Sequence, residues 1–166
     1  MVLTTSISLK ELVDRVTPAG VDRAVVERRI RHWTGHGILP TEGAAFPGQG
    51  KSRKYSEEII YLAAVLNELA KYGIPLAGIA AAYAAISFIY IRPAQVSDFV
   101  THWERAKSQT GPVLLSFSME DPGADGRVRA KVAFFDAMEA TNPFFDSGGV
   151  SVLSIKLTDL FRPLKR

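Results

Sequence analysis

The chain has 166 residues, 47% of them hydrophobic and 22% charged, with a net charge of +3 and no Cys. This length suits one ordinary domain or two small ones sharing a core, and the apolar fraction excludes a disordered chain. The lack of Cys excludes a disulfide scaffold, a thiolate zinc site, an iron–sulfur cluster and a Cys nucleophile, and it suits a reducing cytoplasm.

The charge is unevenly placed. Residues 1–54 carry nine Lys/Arg against five Asp/Glu, and residues 55–166 carry eleven against twelve. All the excess therefore lies in the first third, bunched at residues 23–31 and 51–54. Like charges repel, so an anionic partner would explain the bunching. On charge alone, two solvated surface runs explain it equally well.

In chain order, residues 8–16 open with Ser8 and Glu11 at capping-box spacing, and Leu9, Leu12, Val13 and Val16 make one apolar face, which predicts a short helix. Thr17-Pro18-Ala19-Gly20 is a turn. Helical spacing resumes over residues 22–35, with Val25, Val26, Ile30 and Trp33 inward and Arg23, Arg28, Arg31 and His32 outward; Gly37 ends it. Ile38-Leu39-Pro40 reads as extended, and residues 42–52, with three Gly and one Pro, as loop. Ser56 reads as the N-cap of a long amphipathic helix stopped at Gly73-Ile74-Pro75.

Residues 74–91 are eighteen in a row without a charge, at the lower edge of a membrane span. Their many Ala, with Pro75 and Gly78, favour a buried dimer helix, and residues 1–8 do not read as a signal peptide. Residues 93–109 predict another helix, with Val96, Phe99, Val100, Trp103 and Ala106 on one side. Residues 112–119, 127–135 and 150–157 read as three antiparallel strands, the second alternating Val128, Ala130, Val132 and Phe134 against Arg127, Arg129 and Lys131. A short helix is expected after residue 158.

The order of the first ninety residues carries a resemblance. Gly20-Val21-Asp22 stands at the turn, then come Arg31-His32-Trp33, Gly37-Ile38-Leu39-Pro40, Ser52-Arg53-Lys54-Tyr55-Ser56-Glu57-Glu58 and Gly73-Ile74-Pro75-Leu76. The ordered set resembles the winged helix-turn-helix head of the MerR family of bacterial transcriptional regulators. About four extra residues separate Gly20 from Arg31, His32-Trp33 replace a paired Tyr, and the loop is long. The part after Arg92 resembles no effector domain.

The resemblance implies a DNA-binding head over residues 1–73, dimerisation and linker helices over 74–110, and a small β region over 111–166. The expected class is α+β: a mainly helical winged helix-turn-helix half, a long apolar dimerisation helix, and a C-terminal helix with a three-stranded antiparallel sheet. Exposed Arg residues on a helix can bond phosphates or guanine edges in the major groove. Arg23, Arg28, Arg29, Arg31 and His32 on the helix, and Lys51, Arg53, Lys54 and Tyr55 on the loop, are therefore the expected DNA-binding set, with Tyr55 packing beneath the loop. The alternative is that these arginines pair with Glu27 and Asp22 on a solvated helix. Ala77, Ala81, Ala84, Phe88 and Ile91 are the expected dimer interface, burial within the chain being the competing use.

Three other patterns carry less. Residues 45–52 fit a loose Walker A pattern but lack the strand before it and the helix at Lys51-Ser52. His32 and His36, four apart on a helix, would need a third metal ligand from Glu27 or elsewhere, and Asp121, Asp125, Asp136 and Glu139 read as acids in and around a hairpin loop. No nucleophile–base set stands out, so the chain reads as no enzyme and as needing no cofactor.

Tyr83, Phe88, Tyr90, Phe99, Trp103, Phe117, Phe134, Phe135, Phe144 and Phe145 suit a core better than a pocket for an unknown apolar effector. The expected function is sequence-specific DNA binding by a homodimeric cytoplasmic transcriptional regulator whose partners are double-stranded DNA and a second copy. The rival is a non-enzymatic protein-interaction or membrane-associated module that reuses the shape.

Overall fold

In the computed structural model, residues 6–48, 52–91, 97–120, 128–136 and 152–165 are described; side chains are not described at 88–91, 97–100, 120, 135–136, 152 and 165. The protein is α+β and divides into two compact units, residues 1–67 and 68–165, the division falling inside one helix.

In the first unit, β1 (Ser6–Ser8) runs directly into α1 (Leu9–Val16). The cap expected at Ser8 forms: its hydroxyl accepts the Glu11 N–H at 3.2 Å. Leu9, Leu12, Val13 and Val16 are all buried. Asp22 caps α2 (Arg23–Gly35) by accepting the Ala24 N–H at 2.8 Å. The far end of α2 closes in a Schellman motif. Ile38 N–H reaches back to Trp33 O (2.8 Å) and Gly37 N–H to Thr34 O (3.1 Å), with Gly37 at φ +69°. That conformation is open to Gly without strain, and it turns the chain sharply away from the helix.

β2 (Lys54–Ser56) pairs antiparallel with β1, placing Ser6 opposite Ser56 and Ile7 opposite Tyr55. This corrects one expectation. Ser56 belongs to a strand and caps nothing; α3 (Ile59–Lys71) starts three residues later, after a turn closed by Ile60 N–H on Glu57 O. The pairing joins segments 48 residues apart, a distance at which local cap statistics are blind. Ile38-Leu39 forms no strand either; both residues are buried in a bend. The unit's core is Ile7, Leu12, Val26, Ile30, Leu39, Tyr55, Ile60 and Leu66, each essentially inaccessible.

In the second unit, α4 (Leu76–Ile91) and α5 (Ser97–Ser108) accompany a sheet of β3 (Val113–Glu120), β4 (Arg129–Asp136) and β5 (Val152–Lys156), followed by α6 (Leu157–Phe161) and a 3₁₀ turn (Arg162–Lys165). The sheet is antiparallel in the order β4-β3-β5, so the three expected strands are present, with β3 central. Trp103 from α5 meets Phe161 edge to face at 5.0 Å and Phe134 at 6.1 Å, and it is buried together with Phe117. These aromatic residues serve as core.

The long apolar helix is not found. α4 has sixteen residues and packs against β4 within its own unit, burying Ile79, Ala82 and Ile86. Gly78 permits close contact: a Cβ there would stand 2.7 Å from Met119 Sδ on β3. Ala77 and Ala84 are exposed and Ala81 is half-buried, while the side chains of Phe88 and Ile91 lie outside the described residues. Burial within the chain thus accounts for one face of α4. No helix among the described residues is long and apolar enough to cross a membrane.

Candidate nucleic-acid interface

Four basic residues of the first unit converge from three elements. Lys10 stands in the first turn of α1, Arg23 and Arg31 project from α2, and Arg53 comes from the residue before β2. With Glu27, Phe46, Pro47, Gly48, Ser52 and Leu9 they line an open cleft of about 640 Å³. Four cations against one carboxylate leave the cleft electropositive.

The loop that forms one wall is tied at its base. Glu42 N–H donates to Lys54 O at 2.8 Å, Thr41 Oγ1 donates to Gly43 O at 2.9 Å, and Arg53 Nε donates to Ala45 O at 2.7 Å. Arg53 also lies over the Phe46 ring, 5.2 Å from its centroid. Its Nη1 is buried with no hydrogen-bond partner among the described residues. A guanidinium without a carboxylate beside a cleft is suited to an anion.

Along α2 the cations are not equivalent. Arg31 places Nη2 and Nε on Glu27 Oε1 at 2.7 and 2.9 Å, and Arg23 places Nη1 on Glu27 Oε2 at 2.8 Å. Arg23 also binds Asp14 Oδ1 at 2.6 Å. The hydrogen bonds of Arg31 hold the Glu27 carboxyl below the usual carboxylate range against the opposing cost of burial, and Arg23 adds to the effect. The bond to Asp14 likewise raises the Arg23 guanidinium above its ordinary value. The solvated-helix pairing expected for these arginines is thus partly present. Its acids are Glu27 and Asp14, while Asp22 serves as the cap of α2.

Arg28 is exposed and makes no ion pair or hydrogen bond among the described residues. His32 is exposed and stacks edge to face on His36 at 4.4 Å, and no group of three metal-ligating side chains occurs among the described residues. Lys54 is exposed on β2. Arg29 is turned inward, with Nη1 on Asn67 Oδ1 at 2.9 Å, joining α2 to α3. Tyr55 is fully buried, so it supports the site without touching a ligand. Lys51 lies outside the described residues.

Lys10 and Phe46 escaped the sequence reading. Lys10 was hidden as one cation on a short amphipathic helix, and Phe46 as one aromatic in a Gly-rich loop. The Walker-like run leads into β2 and not into a helix, so it lacks the helix N-terminus that would cradle a phosphate. Compared with known proteins, the chain matches no protein-family model and no curated sequence.

Proposed function

We propose that the chain is a sequence-specific DNA-binding transcriptional regulator, working in the cytoplasm as a homodimer through a MerR-like winged helix-turn-helix. In this reading α2 is the recognition helix and residues 41–53 are the wing. The observation that supports it best is the electropositive cleft between them, where Arg23 and Arg31 of α2 face Arg53 and Phe46 of the loop, with Lys10 at the edge. An α-helix of ordinary width enters the major groove with Arg on its outward face, while a basic loop takes the adjacent phosphates. The dimer would use the face of α4 bearing Ala77, Ala81 and Ala84, which allows close approach of a twin helix.

Six cations are available to phosphates: Lys10, Arg23, Arg28, Arg31, Arg53 and Lys54. Contact by all six gives a log–log salt slope on the order of −5. The test is fluorescence anisotropy on random duplex over a salt series, followed by selection of bound genomic fragments. Arg28→Ala, Arg31→Ala and Lys54→Ala combined are expected to flatten the slope by about 3; an unchanged slope and affinity contradict the proposal. Sedimentation at micromolar concentration is expected to give twice 18.1 kDa, and a monomer contradicts the homodimer.

A further inference from the structure

Phe46 is 71% exposed, one of two large hydrophobic residues in that state among the described residues. A single exposed ring is ordinary by itself. This one is held in place by its surroundings. Its Cζ lies 3.7 Å from where a Cβ on Gly35 would stand, so the ring tip faces the bare Cα of the last residue of α2. The Arg53 guanidinium covers it at 5.2 Å, and Arg53 is itself anchored to Ala45 O. The ring therefore sits at the cleft wall beneath a tethered, half-buried guanidinium that has no carboxylate partner among the described residues.

The pairing has a chemical meaning. A guanidinium suits a phosphate, and the adjoining deoxyribose and base edge offer apolar surface to a ring 5.2 Å from it. We infer that Phe46 and Arg53 together form a one-nucleotide clamp on duplex DNA, Arg53 holding a phosphate and Phe46 packing on the sugar and base edge beside it. Phe46 then contributes affinity that does not depend on salt, and Arg53 contributes affinity that does. The inference rests on the DNA-binding reading of the same cleft.

The two contributions separate experimentally. The full chain is titrated into a fluorescein-labelled random-sequence duplex over a salt series, with wild type, Phe46→Ala, Phe46→Leu and Arg53→Gln compared. Phe46→Ala is expected to weaken binding about fivefold at every salt concentration, the loss that follows from uncovering about 40 Å² of apolar surface, with the slope unchanged. Phe46→Leu is expected to recover part of the loss, and Arg53→Gln to flatten the slope by about 1. Thermal unfolding of Phe46→Ala should match wild type, since the ring is mostly exposed. Equal binding by wild type and Phe46→Ala overturns the clamp alone. A Phe46→Ala slope as flat as that of Arg53→Gln also overturns it, because the ring would then act only by placing Arg53. No duplex binding by wild type overturns the DNA-binding reading and the clamp together.

Discussion

Tyr55 Oη lies 3.0 Å from Thr34 Oγ1 in the core of the first unit, joining β2 to the last turn of α2. Thr34 has one hydroxyl proton, and it is directed to Ile30 O at 2.9 Å. Tyr55 is therefore the donor to Thr34. Both groups are buried, so the bond ties the strand that follows the basic loop to the helix that carries Arg23, Arg28, Arg29 and Arg31. It acts beside the pairing of β2 with β1 and the ties at the base of the loop.

Tyr55→Phe removes the donor and leaves Thr34 still bonded to Ile30. The expected loss is about 1 kcal/mol, read as a fall in Tm of roughly 2–4 °C for a chain of this size. DNA affinity measured well below the new Tm should keep its salt slope. A steep loss of slope would mean that the buried phenol governs the charges directly.

Glu27 holds both Arg23 and Arg31, so it competes with any phosphate for them. Glu27→Gln removes that competitor. Duplex affinity at low salt is expected to rise several-fold, and an unchanged affinity would mean that Glu27 does not compete. The same carboxylate has a pH consequence. Its folded pKa lies below the ordinary value, so its stabilising contribution is complete above the ordinary carboxylate range and is lost as pH falls through the lowered folded value. Acid titration of Tm should therefore show a shallower decline in Glu27→Gln than in wild type. The effect will be small, because the pairs are solvent-screened.

Thr158 is the corresponding tie in the second unit. Its Oγ1 donates to Gly111 O at 2.8 Å and accepts Val113 N–H at 2.9 Å, holding α6 against the start of the central strand. Thr158→Val preserves the shape and orphans both backbone groups, at an expected cost of about 2–4 kcal/mol from two desolvated groups. Thr158→Ser keeps the hydroxyl and should lose clearly less. Urea unfolding of the three forms checks the order, and a Ser variant no better than Val would refute the hydrogen-bond account.

Much of the fold was legible locally. The Ser8 cap, the Gly37 exit, the four buried positions of α1 and the alternation along β4 all express rules acting within a few residues. The error at Ser56 has the same origin. Ser-Glu-Glu ahead of an apolar run is a fair cap signal, and it was overridden by a ladder to residues 6–8. The length of α4 misled in another way. An uncharged run reads alike whether it awaits a partner or packs on its own sheet, and the contact with β4 decided it for one face.

For the site, the sequence by itself determined that the excess positive charge lies in the first third, on a helix and the loop after it. Charge counts and helix periodicity are local properties, readable without the fold. Only tertiary structure decided the state of each cation. Arg29 meets Asn67 across 38 residues, Arg23 meets Asp14 from another helix, and Arg53 is left with an unpaired donor beside Phe46. An arginine is long and flexible, and its partner is whichever acceptor the folded chain brings within reach. That selection comes from packing the core, in residues that carry no charge.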